Sequence, residues 1–462
     1  MTDFASPLAP KKAVMPSTWS EELRALLGLG IPMAAAQFAQ FLIFTIDILM
    51  IGRLSPEDLA AAALGTAIYY MLWMLGAGPV MAVTPMVSQA LGADQNDTRD
   101  ARRSMRMVLW VIFMMTPVIM LSLTQTEALA NRLGQNPDVA RKAGAYVLVL
   151  GPGLAFAMAT MALRNFLAAL GKTTVPFILV MIVTLLNAGL NYVLIFGHFG
   201  APRLELVGAG IASSLSYIIG FFLFVLYIKR DKRANSFELF QNFWRPDWPR
   251  FKDVIALGWP ISLTTLFEGM LFNAAVIIVG IIGVAEQAAY QVGLNIVTMS
   301  FMLPWGLSMA GAVRMGLAKG ASNAPAMQRV ATTTIFAALC SILLLAACVA
   351  FMPHHITSFY LKADDPQNAE VIALIMGFLP FIAGLMFFDA VQVAANQLLR
   401  GLKDVRWPML ITGVSYWVIG FPIAFILALK TDIGANGVWY GLTLGLMTAS
   451  ILLSWRLYRQ VR

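Results

Sequence analysis

Apolar residues in this chain do not alternate with polar ones. They run in stretches of twenty or more, broken by short polar turns. A bilayer's hydrocarbon core takes about 20 apolar residues per helix. The pattern predicts twelve membrane helices, near 25–52, 60–88, 105–124, 140–162, 174–197, 207–228, 254–282, 288–312, 330–352, 369–396, 407–429 and 434–456. Every backbone group must be paired inside lipid, so the spans are helices rather than open strands. The predicted fold is all-α and integral to the membrane.

Composition agrees. The chain is 59% hydrophobic and 12% charged, with mean hydropathy +0.75. Soluble domains carry roughly 25% charged residues. The net charge of +8 does not mark a nucleic-acid surface, because its basic residues fall mainly between apolar stretches. Assigned to alternate loops, 25 of the 32 Lys and Arg lie on one side and 7 on the other. By the positive-inside rule, both termini are cytoplasmic. Residues 1–22 hold no 7–15-residue apolar core, so no cleavable signal peptide is expected there. Cys340 and Cys348 sit in one apolar stretch and read as small apolar side chains, not a disulfide framework.

The chain repeats itself at an offset of 228. Leu29, Gly30 and Pro32 fall on Leu257, Gly258 and Pro260, and Gly52 on Gly280. Met71, Met74, Leu75 and Gly78 fall on Met299, Met302, Leu303 and Gly306, and Gly92 on Gly320. Over 29–93 the identities number 18 of 65, and they align the glycines and prolines. Each half has an even number of spans, so both enter the membrane the same way round. That predicts two six-helix bundles related by a pseudo-twofold axis along the membrane normal. The expected organisation is a tail 1–23, an N-terminal lobe 24–228, a linker 229–253, a C-terminal lobe 254–457 and a tail 458–462.

Three carboxylates fall within predicted spans: Asp47, Glu268 and Asp389. None has a Lys or Arg within a helical turn on its own helix. A charge near the bilayer centre costs about 2.5–3.5 kcal/mol on insertion scales, which marks each as a functional candidate. At the repeat offset Glu268 falls on Gln40, its neutral near-isostere; Asp47 falls on Ala275 and Asp389 on Met161. Each lobe therefore carries its own acids. An unpaired carboxylate in low dielectric can take a proton near neutral pH, bind Na⁺, or pair with a cationic substrate. Competition among those three is the minimum an antiporter needs. Asn187 and Asn191 share one face of their helix, and Gln291 is a further polar group within a span.

No phosphate-cradling loop is present: Gly171-Lys172-Thr173 lacks the partner glycine, with Phe166 in its place. No nucleotide is expected, so energy comes from an ion gradient. There is no catalytic constellation and the protein is not read as an enzyme. No cofactor is expected beyond possible Na⁺ as coupling ion.

The chain resembles the MATE (multidrug and toxic compound extrusion) transporters of the bacterial NorM-like branch, over about 20–455. The residues that carry this are DILMIGRL after the first span, the Gly-Pro openings of helices 1 and 7, LRNFLAALGKTTVP, LLNAGLNYVLIFG, the Glu268 context, Tyr290-Gln291-Val292 and Phe388-Asp389. The resemblance implies export of cationic or amphipathic drugs and dyes against H⁺ or Na⁺, by alternating access, from the bacterial inner membrane, by a monomer. It implies a coupling-cation site around Glu268, Asp389 and Phe301, and a proton or substrate site at Asp47, Asn187 and Asn191. Gln291, Gln40, Asp364 and Asp365 are then cavity residues. Phe301 and Leu385 stand where related members have tyrosines, which removes two oxygen ligands and favours H⁺ over Na⁺. The alternatives are a lipid-precursor flippase, which would carry cavity arginines, and a metabolite carrier of the major facilitator type.

Overall fold

The computed structural model describes residues 11–96, 98–352, 354, 355, 357 and 368–462. Among them, twelve helices are long and apolar enough to cross a membrane. They are α1 (Trp19–Ile51), α2 (Pro56–Ala93), α3 (Thr98–Leu123), α4 (Pro137–Ala169), α5 (Thr174–Phe196) and α6 (Glu205–Arg230), then α7 (Trp248–Ile282), α8 (Val284–Gly320), α9 (Ala324–Val349), α10 (Ala369–Gly401), α11 (Arg406–Leu429) and α12 (Asn436–Val461).

Local sequence sets many of the boundaries. Thr18 and Glu21 form a reciprocal capping box at the start of α1. Ser55, Asn136, Asp247 and Asn323 cap α2, α4, α7 and α9, each followed by a proline in the first turn. There the missing N–H removes nothing, because the first-turn donors have no helical partner. Gly197 closes α5 in the left-handed region at φ 75°, which a residue without Cβ adopts freely. Within α11, residues Val414–Gly420 form a π segment.

One apolar cluster gathers on Tyr69, Phe166 and Phe224 of the first six helices. A second gathers on Tyr290, Phe378 and Trp439 of the last six. The halves meet through α1 against α8 and α2 against α7, and glycines allow the approach. A methyl at Gly78 would lie 2.1 Å from the Gly258 carbonyl oxygen and 2.4 Å from Ser262 Oγ. A methyl at the repeat-related Gly306 would lie 2.4 Å from Ala34 Cα, and Ala34 is the repeat partner of Ser262. The same mirror holds for Gly258 on Pro79 and Gly30 on Leu307, and for Gly92 on Leu317 and Gly320 on Gln89. Contacts that obey the sequence offset are the pseudo-twofold relation written in packing.

All of these contacts lie in the half of the helices nearer the chain termini. The Ser262 hydroxyl ties the seam there: it donates to the Leu75 carbonyl at 2.7 Å and accepts from the Gly78 N–H at 3.2 Å. At the same end, Arg314 of α8 reaches Glu22 of α1 through two hydrogen bonds, Nη2 to Oε2 at 2.7 Å and Nε to Oε1. Glu22 is 0% exposed, so this ion pair is out of water.

The structure corrects the placement of several basic residues. Arg164, Arg314 and Arg400 were expected in loops. Instead α4, α8 and α10 run on to Ala169, Gly320 and Gly401, and all three arginines are buried within them. Each of these arginines has a partner or neighbour distant in sequence, which a scan for apolar runs cannot register.

Candidate functional site

The first half holds a polar network around its buried acid, in which Asn191 Oδ1 alone is left without a partner. Asp47 on α1 is 7% exposed. Its Oδ1 accepts from Asn191 Nδ2 at 2.5 Å and its Oδ2 from the Ser213 hydroxyl at 3.0 Å. Asn187 Nδ2 donates to Ser213 Oγ at 3.1 Å, and Asn191 Nδ2 also donates to Asn187 Oδ1 at 3.2 Å. Helical spacing puts the two asparagines one turn apart on α5, so both reach the acid. The three site residues named from sequence are thus brought together. Ser213 was not foreseen; the only signal is a run of serines, 213, 214 and 216, in an otherwise apolar helix.

Beside this network lies an aromatic chamber of about 90 Å³ between α1, α2, α4, α6 and α8, walled by Phe44, Tyr70, Trp73, Tyr217 and Trp305. Its rings touch in series, Phe44 to Tyr70 at 5.3 Å and Tyr70 to Trp73 at 5.6 Å. Gln40 lines the chamber. Phe301 stacks on Trp305 at 5.7 Å, backing the chamber wall. Arg164 also lines it, and its Nη1 donates to Gln40 Oε1 at 3.0 Å. Sequence reasoning missed this residue and counted only acids within the spans.

The second half is built differently. Glu268 on α7 and Asp389 on α10 lie close enough for one charge to act on the other, and Arg400 and Tyr416 lie within the same electrostatic neighbourhood. Asp389 is 5% exposed. Its Oδ1, both polar atoms of the Gln392 side chain, Asn396 Oδ1, Ser415 Oγ and the Tyr416 hydroxyl are buried without a hydrogen-bond partner in the protein. Ser415 and Tyr416 sit on the π segment of α11; such segments are frequent at functional sites. The region around these acids is therefore rich in polar oxygen despite Phe301 and Leu385. Among the described residues, no three His, Cys, Asp or Glu side chains gather as a metal centre would require.

Two expectations fall elsewhere. Gln291 is exposed on α8 and its carbonyl accepts from Asn295 at 3.1 Å; it does not line the aromatic chamber. Asp364 and Asp365 lie outside the described residues.

Two mirrored bundles, closed at one end around buried ionisable sites, define a membrane transporter. The MatE family profile matches residues 32–193 and 260–426, so the match itself falls once on each half. The chain belongs to the MatE family. It is 38% identical to a probable multidrug resistance protein NorM of Rhizobium meliloti (strain 1021), covering 96% of this chain and 95% of that one. In fold it is similar to an outward-facing multidrug resistance MATE family transporter, with a TM-score of 0.85 at 20% identity over 97% of this chain and 99% of the other. A eukaryotic MATE transporter superposes with a TM-score of 0.84 at 20% identity, over 96% and 99% of the two chains. The major-facilitator alternative has no support in these matches.

Proposed function

We propose that this protein is a secondary active multidrug exporter of the bacterial inner membrane, with both termini cytoplasmic, working as a monomer by alternating access. Its relatives' multidrug resistance names and the aromatic chamber support drugs as cargo. The coupling cation, H⁺ or Na⁺, binds at Glu268 and Asp389. The observation that carries this is the group of unpartnered buried polar atoms around Asp389, Gln392, Ser415 and Tyr416. Buried polar groups without partners cost free energy, and a bound cation or proton relieves part of that cost. The oxygens of Gln392, Ser415 and Tyr416 stand in for the two tyrosines that Phe301 and Leu385 replace, so Na⁺ again has hard ligands.

Exchange follows from competition. A cation at the second-half acids and a drug in the first-half chamber favour opposite openings of the seam. One pH unit supplies about 1.4 kcal/mol, and one charge crossing 100 mV about 2.3 kcal/mol. With the termini in the cytoplasm, the closed glycine seam lies on the cytoplasmic side. The test is dye efflux from liposomes holding the purified chain, under an imposed Na⁺ or pH gradient, one at a time. Efflux under either gradient, lost in Glu268→Gln, supports the reading. Normal efflux by Glu268→Gln under both gradients overturns it.

A further inference from the structure

The aromatic chamber carries a charge of the opposite sign to the one a site for cations needs. Arg164 is 9% exposed, and its Nη1 makes a 3.0 Å bond to Gln40, a neutral side chain. Gln40 stands at the repeat position of Glu268. In the second half, Glu268 and Arg400 lie within reach of one another's charge. At the same offset Arg400 falls on Lys172 and Arg164 on Gln392, so Arg164 belongs to the first half alone, and beside a neutral partner its guanidinium keeps its full positive charge.

Nothing around the chamber offsets it. Neither the chamber nor the two recesses that adjoin it at Arg164 is lined by any Asp or Glu among the described residues. The neighbouring acid, Asp47, takes its hydrogen bonds from Asn191 and Ser213 and forms no ion pair with Arg164. Lys172 lines one recess but is paired with Asp231. A second feature points the same way. Thr160 lies one turn before Arg164 on α4, lining a recess that Arg164 and Gln40 also line, and its buried hydroxyl has no partner in the protein. Arg164 and Thr160 thus present donors with few acceptors, beside a wall of rings.

We propose that this chamber binds aromatic amphiphiles through an anionic group, a carboxylate held by Arg164 and Thr160, so that the preferred cargo is an aromatic acid or zwitterion rather than a bare cation. The guanidinium fork matches a carboxylate in two parallel hydrogen bonds. The aromatic walls, Phe44, Tyr70, Trp73 and Trp305, stack on the ligand's rings. A cationic group at the same place meets Arg164 as a like charge at low dielectric. Calling the ligand a cargo rests on the export reading; the binding site itself does not.

The experiment uses the full chain and a matched pair of probes, a fluoroquinolone carboxylic acid and its methyl ester. The two share rings and amine and differ only in the anion. Binding is read from quenching of tryptophan fluorescence in detergent, and transport from efflux out of liposomes. The wild type should bind the acid about tenfold more tightly than the ester, the scale of one charge-assisted contact. Arg164→Gln should erase the preference by weakening acid binding while leaving ester binding unchanged. Gln40→Glu keeps Arg164 but neutralises it, and should reverse the preference; this variant serves if Arg164→Gln fails to fold. Equal affinity of the wild type for acid and ester overturns the proposal, as does equal weakening of both by Arg164→Gln. Acid preference in binding without efflux of any compound sustains the site and sinks the export reading. Dye efflux without acid preference sinks the proposal and leaves export standing.

Discussion

The first half satisfies its buried acid; the second half does not. Asp47 has a donor on each oxygen, supplied from two other helices. Asp389 Oδ1 has none, and the polar atoms of Gln392, Ser415 and Tyr416 share its condition. The two bundles share a scaffold, down to glycine contacts that repeat at a fixed offset, while the acids stand at positions the offset does not relate. A carboxylate with a neutral donor on each oxygen is held in place, though its charge is not cancelled. An unsaturated one stores a cost that only an incoming ion or proton removes. Duplication supplied two copies of one bundle, and the polar substitutions, Gln40 for Glu268 among them, gave the copies different chemistry.

Four measurements can break or sharpen that contrast. The largest effect should come from Glu268→Gln, which ought to lower gradient-driven efflux on the order of a hundredfold, since charged hydrogen bonds are worth up to about 3 kcal/mol; retained coupling would remove the second half from the mechanism. Next come the acids as structural parts. Asp47→Asn replaces one acceptor oxygen by an amide donor, which then faces one of the two groups that donate to Asp47, and should lower unfolding stability in detergent by roughly 1–3 kcal/mol. Asp389→Asn removes a buried charge with an unpartnered oxygen and should not destabilise, relieving a cost of about 1–3 kcal/mol instead. If the two variants melt alike, the difference between the halves is only apparent. Third, Gly78→Ala and Gly306→Ala overpack mirrored contacts and should each cost about 1–3 kcal/mol. Both should raise the reactivity of a cysteine introduced at Ala34, since the seam must open to admit the methyl; unequal responses would show that the pseudo-symmetry is not mechanical.

The smallest effect concerns the linker. Its Asp247 caps α7 and pairs with Arg103 at 2.6 Å. That guanidinium holds the Asp247 carboxyl below its ordinary value. The contribution is full above the unfolded carboxylate value of about 3.9 and fades as pH falls through the lower folded value. The wild type should therefore be the more stable by about 0.5–1 kcal/mol over Asp247→Asn at pH 7, and the melting curves should converge as acid is added.

Much of this was legible in the sequence, because membrane physics is blunt. Twenty apolar residues make a span, and the twelve expected spans match twelve helices. The Asp47 network was half legible, since Asn187 and Asn191 announce a shared face by spacing alone. The rest depended on contacts between residues far apart in the chain. Arg164 looked like a loop residue because hydropathy falls at its position; its partner Gln40 is 124 residues away. Ser415 and Tyr416 carried no signal, as hydroxyls are ordinary in membrane helices and the π segment that aims them is not a pattern in composition. Losing two tyrosines from the family pattern argues against Na⁺. The fold leaves polar atoms of Gln392, Ser415 and Tyr416 unpartnered, oxygens which that argument did not count.

The Glu22–Arg314 pair has a consequence for timing. It lies at the termini end of a seam otherwise made of small residues, and its carboxylate is shut off from water. A dry ion pair has no half-open form. While sealed, it gains the attraction of two charges at low dielectric; once water enters, that attraction is screened and only the Ser262 hydrogen bonds and the close glycine contacts hold the seam at that end. The closed state should therefore release abruptly rather than loosen by degrees. Distance traces between single labelled molecules would then hop between two dwell levels, and Arg314→Met would shorten the closed dwell without smearing it into a continuum.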